Sequence, residues 1–320
     1  MEAGPPRVVT AGETMLLGVP ARPGLLRHAT GLELKIGGAE SNVAIALSRL
    51  GVPSGWASFL GDDEAGQLVL DRVRAEGVDT SRVRRLEGQP TGLYLRDSAG
   101  GKVRVHYYRS GSAASRMAPG AFDPGYLEGA EFLHLTGITP ALSEACADFV
   151  LWAAREARSR GVRVSFDVNH RSKLWSAERA RDFAEKLLPD LDLLFVGDDE
   201  AEALWGAGGE AFARGLAADH PSEAVEVVLK EGSRGSAALV GGRFIREPGF
   251  GVDEVDPIGA GDAHVAGYLA GSLWGLDAGG RLRIANAMGA YSVMTLGDYE
   301  GLPDRGEVRG FIEGETTPGR

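Results

Sequence analysis

The chain has 320 residues, 43% of them hydrophobic, enough to bury the core of one large α/β domain or two smaller ones. Its net charge of −11 argues against nucleic acid or an anionic membrane as a main partner, and obliges any anionic ligand to be held by local cations and backbone dipoles. The lone Cys146 excludes an internal disulfide and a cysteine metal cluster. Residues 1–7 lack an apolar signal core and no apolar run reaches about 18 residues, so a cytoplasmic protein is expected.

In chain order, residues 7–11 read as a first strand. Residues 14–35 show no clear helix and lead into a bend of small residues, Gly37-Gly38-Ala39, followed by an amphipathic helix that stops at Gly51. A strand over 55–60 and a helix over 64–76 come next. Residues 91–97 and 102–109 alternate around Ser98-Ala99-Gly100-Gly101 and predict a β-hairpin. Short apolar runs at 132–135, 162–168, 191–196 and 225–229 are separated by helical patterns over 143–160, 177–188 and 210–218. Buried strands alternating with helices predict a parallel sheet covered on both faces, with ligands beyond the carboxyl ends of its strands. His106 and His134 fall within strands and are expected to be packed; the tail over 314–320 is expected to be disordered.

The most informative stretch is Asp256-Pro257-Ile258-Gly259-Ala260-Gly261-Asp262-Ala263, ahead of a helical run over 263–275. A turn stripped of side chains that feeds a helix N-terminus forms an anion hole. Asp262 sits where the helix dipole favours a carboxylate. It is placed to take a proton from a hydroxyl that attacks a bound phosphate. A plain helix-start turn with an N-terminal acid would look the same. No Gly-x-x-x-x-Gly-Lys-Ser/Thr run is present, so P-loop chemistry is rejected.

Gly37-Gly38-Ala39-Glu40-Ser41-Asn42 and the Asp256 to Ala263 stretch together closely resemble the two signatures of the PfkB (ribokinase-like) carbohydrate kinases. Intermediate landmarks follow in the expected order over nearly the whole chain. The resemblance implies a ribokinase-like three-layer α/β/α domain spanning 1–320, with a mainly parallel central sheet and a small β-sheet lid formed by about 14–36 and 88–112. It implies ATP as phosphate donor, Mg²⁺ at its phosphates, Asp262 as general base, and Gly259, Ala260 and Gly261 as the anion hole. A monovalent cation near Asp256 is left open.

The resemblance also distributes roles residue by residue. The Gly37-Gly38 bend and Asn42 would meet the sugar, and Asp298, in Gly297-Asp298-Tyr299-Glu300-Gly301, would touch it as well. Glu13, Tyr94 and Tyr107 would join them, although a strand-end acid and alternating hairpin aromatics have ordinary structural readings. Tyr107-Tyr108-Arg109-Ser110-Gly111-Ser112-Ala113 looks like the run found in 2-keto-3-deoxygluconate kinases, where Arg109 would read the sugar carboxylate. Asp167-Val168-Asn169-His170-Arg171 is similar to an element in which Arg171 bridges sugar and γ-phosphate and Asn169 orients phosphates or acceptor.

On the nucleotide side, Lys230, Gly232 and Gly235 would lie along the phosphates and ribose, and Asn286 near the adenine. Glu200 matches an acid that orders Mg²⁺ indirectly, but Gly197 stands where the family usually has asparagine, and an acidic first helical turn is an equal reading. His264 occupies a position usually aromatic and is expected to pack as a ring. The reading that results is an ATP-dependent kinase for 2-keto-3-deoxygluconate. Its alternatives are a kinase for a neutral sugar such as fructose or ribose, or a silent sugar or nucleotide sensor. Unpaired lid edges make a homo-oligomer expected.

Overall fold

The computed structural model describes residues 4–22, 24–99, 102–220 and 225–314. The hairpin turn at Gly100-Gly101 and the tail over 315–320 lie outside the described residues. The first half of the chain forms β1 (Val8–Ala11), β2 (Met15–Pro20), β3 (Leu32–Gly37), α1 (Ala39–Arg49), β4 (Ser54–Gly61), α2 (Glu64–Ala75), β5 (Val83–Leu86), β6 (Leu93–Ala99), β7 (Lys102–Tyr108), β8 (Phe132–Thr136) and α3 (Glu144–Ser159). The second half forms β9 (Arg163–Asp167), α4 (Ala177–Leu187), β10 (Leu193–Gly197), α5 (Asp198–Trp205), α6 (Gly209–Asp219), β11 (Glu226–Lys230), β12 (Gly235–Val240), β13 (Arg243–Pro248), α7 (Ala260–Leu273), α8 (Ala278–Ser292) and α9 (Arg305–Glu313).

Among the described residues the large sheet runs β13-β12-β11-β10-β9-β8-β1-β4-β5. It is parallel from β11 through to β5 and turns antiparallel only at the β12 and β13 edge. Successive side chains on a strand point to opposite faces, and the structure divides them accordingly. Val9, Leu194, Val196 and Val227 enter one core with Phe149, Phe183, Leu204 and Phe212 from α3 to α6. Val8, Leu193, Phe195 and Val228 enter the other, with Ile45, Val69, Val265, Leu282 and Val308 from α1, α2, α7, α8 and α9. Helices on both faces give three layers. The chain reverses its progression across the sheet between β1 and β8, and a crevice opens beyond the strand ends at such a point.

A second sheet, β3-β2-β6-β7, stands apart. Its pairs are antiparallel except β2 with β6, which is parallel. The stretch over 14–35, expected to lack a helix, supplies β2 and the start of β3, with a 3-10 turn at Leu26–His28 between them.

Several elements depart from the sequence expectation. The helix expected to begin at 263 already begins at Ala260, so the glycine turn is its own first turn. The helix that carries Asn286 starts at Ala278, because the Asp277 carboxylate caps Gly280 N–H at 2.8 Å. α5 begins at the acidic turn read from the sequence, whereas β13 and α9 had no separate signal. His134 is buried as expected, held by Ser165 Oγ at 2.9 Å, but His106 is exposed on the sheet's edge strand β7. Gly267 lets α7 press against α8, since a Cβ there would lie 2.8 Å from Ala285 Cα, and this contact fixes where α7 points its N-terminus. No helix among the described residues is long and apolar enough to cross a membrane.

Candidate active site

The carboxyl ends of β1, β9, β10 and β11 deliver Glu13, the 167–171 element, Glu200 and Lys230 to one side of the sheet. α7 reaches the same place. Asn42 Nδ2 on α1 donates to Asp262 Oδ2 at 2.8 Å, so two glycine motifs whose polar residues are 220 positions apart share one cleft.

Gly259 caps α7 at φ +83°, and a Cβ there would strike the Asp298 carbonyl, so this turn requires glycine. Ala260 N–H leans on the Pro257 carbonyl at 3.4 Å, and the first bond within the helix runs from Ala263 N–H to the Gly259 carbonyl at 2.9 Å. The N–H groups of Gly261 and Asp262 are therefore the orphan donors that a helix start leaves for an anion. A Cβ on Gly261 would meet nothing nearer than Lys230 Nζ at 3.6 Å, which leaves the approach open.

The helix dipole was expected to keep Asp262 ionised. Burial outweighs it. Desolvation, reinforced by the negative charge of Asp167, pushes the Asp262 carboxyl up to about 7, against the Asn42 hydrogen bond and the charges of Arg171 and Lys230. A carboxyl that titrates near neutrality is suited to accept a hydroxyl proton. Lys230 Nζ bonds both oxygens of Asp167, at 2.6 and 2.7 Å. Burial opposes its charge, but Asp167, Glu200 and Asp262 prevail and hold its pKa above the ordinary value. Arg171 is exposed and makes no ion pair among the described residues, while its charge bears on Asp262.

Asn169 turns the chain after β9 at φ +37°, the one positive φ of a non-glycine residue among the described residues. The next N–H, of His170, donates to Glu200 Oε1 at 2.7 Å, while Gly197 N–H donates to Glu200 Oε2 at 2.8 Å. Glu200 is thus a clamp joining the β9 and β10 loops. Gly197 gives that carboxylate room to fold back: a Cβ there would sit 3.2 Å from Glu200 Oε2. No group of three or more His, Cys, Asp or Glu is placed to hold a metal among the described residues.

Lys230, Gly232, Gly235, Gly261 and Asn286 line a cavity of about 390 Å³ whose apolar wall includes Phe250, Val252 and Val293. Two of these residues also have packing partners of their own. Gly235, at φ +108°, has no room for a Cβ because the Glu247 carbonyl fills the space, so it serves the packing of β12 on β13. Asn286 accepts from Ser236 Oγ at 2.7 Å and donates to the Glu247 and Pro248 carbonyls at 3.1 Å each. Its amide thereby braces the cavity wall. Gly232, at φ +59°, faces open space. His264 also lines the cavity; burial and the nearby Lys230 charge push its pKa down to about 3, so the ring is neutral.

On the other side of Asp262, the missing side chain of Gly37 makes space for Tyr94 Oη and the Asp298 carboxylate, which are bonded at 2.7 Å. Gly38 lies against the Glu13 carbonyl and Thr14. Burial pushes Asp298 up to about 6, opposed by Tyr94 and Arg96. Tyr107 stacks on Tyr94 with ring centroids 5.7 Å apart, and Arg109 Cζ stands 5.6 Å from the Tyr107 ring. Arg109 is not a free cation. Its Nε donates to Glu13 Oε2 at 2.7 Å, its Nη2 pairs with the same oxygen, and Glu13 is 2% exposed.

Three buried charged groups in this region had no assigned role. Asp167 holds Lys230. Glu40, wholly buried, accepts from the Thr136 and Thr139 hydroxyls at 2.7 and 2.8 Å, with its pKa raised by desolvation. Arg96 joins Asp256 and Asp298. For Arg96 a signal existed: it stands two residues after Tyr94 on one strand, so both must share a face.

The chain matches the pfkB family carbohydrate kinase profile over residues 6–305. It is 36% identical over 314 residues to 2-dehydro-3-deoxygluconokinase of Bacillus subtilis, covering 97% of this chain and 96% of that one. It is also 36% identical over 267 residues to 2-dehydro-3-deoxygalactonokinase of Haloferax volcanii, covering 82% and 83%. An Escherichia coli structure described as a candidate Ribokinase II in complex with ATP and Mg²⁺ superimposes with a TM-score of 0.87 at 26% identity, covering 96% of this chain and 99% of that one. The chain belongs to the pfkB family of carbohydrate kinases, and is an ATP-dependent sugar kinase of ribokinase-like fold.

Proposed function

We propose that this kinase transfers the γ-phosphoryl group of ATP to the terminal hydroxyl of 2-keto-3-deoxygluconate, forming the 6-phosphate. The observation that carries this reading is the Asn42 to Asp262 hydrogen bond, which joins a residue of the first glycine motif to the acid beside the anion hole. Asp262 accepts the hydroxyl proton. The N–H groups of the α7 start and the Arg171 guanidinium compensate charge on the transferring phosphoryl group. Mg²⁺, when bound, neutralises the nucleotide phosphates. Gly37, Asn42, Tyr94 and Asp298 position the sugar, and the second sheet acts as a lid that keeps water from the phosphoryl group.

The acid-sugar assignment draws on Arg109 and on the names of the relatives above. A specific observation favours a second reading: Glu13 already compensates Arg109, which lowers its pull on a sugar carboxylate and suits a neutral sugar such as fructose or ribose. The lid edges carry exposed Leu32, Leu34, Val103 and Tyr108, which supports pairing with a second copy, and the protein is read as cytoplasmic. ADP release measured across 2-keto-3-deoxygluconate, its galactonate epimer, fructose and ribose decides between the readings. Selective turnover of the acid sugars supports the first, and selective turnover of a neutral sugar replaces it with the second.

A further inference from the structure

An ion pair joins the first residue of the second glycine motif to a side chain that lies in neither motif. Arg96 and Asp256 are 4% and 2% exposed and 160 residues apart, one on β6 of the small sheet, the other opening the turn that ends at Asp262. Arg96 Nη2 donates to Asp256 Oδ2. The same oxygen accepts Gly297 N–H at 3.1 Å, and Oδ1 accepts Ile258 N–H at 3.3 Å. The adjoining Val293 carbonyl takes the N–H groups of Val255 and Asp256, at 2.8 and 3.0 Å. A monovalent cation needs oxygens with free lone pairs. Here Asp256 Oδ2 and the Val293 carbonyl each already take two donors, and a guanidinium supplies the positive charge, so these residues do not fit such an ion.

We propose that Arg96 is the resident cation of the Asp256 turn, a positioning residue that makes the kinase independent of added monovalent cations. Left uncompensated, the buried Asp256 charge would oppose the phosphates that the turn must receive. Arg96 cancels it from within the chain. The second arm, Nη1, stands 3.6 Å from Asp298 Oδ1, so the same guanidinium spans the phosphate turn and the sugar side. Tyr94, on the same face of β6, bonds the other oxygen of Asp298 at 2.7 Å. The small sheet is thereby tied to the anion hole by a side chain rather than through the substrate alone.

The inference rests on the kinase reading above, and its test is arranged to separate the two. Turnover and ATP affinity of the wild-type enzyme are measured in potassium, sodium and tetramethylammonium chlorides at equal ionic strength. Values within about twofold of each other are expected; stimulation by potassium of about fivefold or more over tetramethylammonium overturns the proposal. If none of the tested sugars is turned over while ATP still binds, the proposed substrate fails and the three ATP affinities decide the cation question alone. Arg96→Met should lower kcat by about 20-fold or more, and added potassium or guanidinium should restore a measurable part of it. Arg96→Lys should stay within about tenfold of wild type. An Arg96→Met enzyme that melts cooperatively, binds ATP normally and is restored by neither ion overturns the proposal, as does one with wild-type turnover. If that variant does not fold, the wild-type salt comparison decides.

Discussion

Asn42 donates its amide to Asp262 across 2.8 Å, and this bond lowers the pKa of a carboxyl that burial has pushed up to about 7. The bond sets the fraction of enzyme whose base is ionised at a given pH. Only the carboxylate can accept a proton, so kcat/KM should fall about tenfold per pH unit below the Asp262 pKa and level off above it. Asn42→Ala removes the donor that favours the charged form. The acid limb of the kcat/KM profile should then move to higher pH by about half a unit to one unit. A limb that stays in place shows that Asn42 does not tune the base.

Asp262→Asn should trade activity for stability. Removing the base should cost about 10² to 10⁴ in turnover while ATP still binds. The folded-state pKa is raised from 3.8 to about 7, so the folded protein holds an extra proton between those values. Its stability declines as pH rises through that window, and the full cost remains above it. The variant should therefore melt later than wild type at pH 8, by on the order of 1–2 kcal/mol once solvent screening at a partly exposed group is allowed for. At pH 4 the gain should vanish. Thermal melts of both proteins at the two pH values check the sign, and near-normal turnover of the variant would remove the base assignment.

Arg109 tests substrate class, but truncation to alanine is a poor probe. It would strand Glu13, a carboxylate 2% exposed, at a cost of about 3–5 kcal/mol in folding. Arg109→Lys keeps a charge beside Glu13 and loses the planar fork. For an acid sugar, kcat/KM should fall about tenfold, the worth of one charged hydrogen bond, with neutral sugars spared. Equal losses on both classes would make Arg109 a support for Glu13 alone.

Sequence legibility followed the physics of each signal. The alternation of β9, β10 and β11 with their helices was readable because buried strands and amphipathic helices impose period. The glycine motifs were readable because a bare turn before a helix has few other uses. Contacts between distant residues were not. Nothing local says that Gly235 is small for the sake of the Glu247 carbonyl, that Asn286 spends its amide on Ser236, or that Glu13 occupies Arg109. β13 escaped notice because charges interrupt it, as they do on many edge strands. The Asp262 pKa shift was hidden for a similar reason: the dipole is visible from the helix start, whereas desolvation depends on what covers it.

Glu200 offers the clearest separation of a structural from a metal role. Each of its oxygens accepts one backbone N–H, from His170 and from Gly197. Glu200→Gln keeps the shape but exchanges one acceptor for an NH₂ group, leaving a backbone donor unpaired and facing another donor. That should cost about 1–3 kcal/mol. It should also loosen the link that holds the loop from Asn169 to Arg171, so kcat should drop with the loss of Arg171 placement. If the clamp is its whole task, the concentration of Mg²⁺ giving half-maximal turnover should be unchanged, because no Mg²⁺ contact has been removed. A tenfold rise in that concentration would instead give Glu200 a part in binding the ion, and an unchanged melting temperature would count against the clamp.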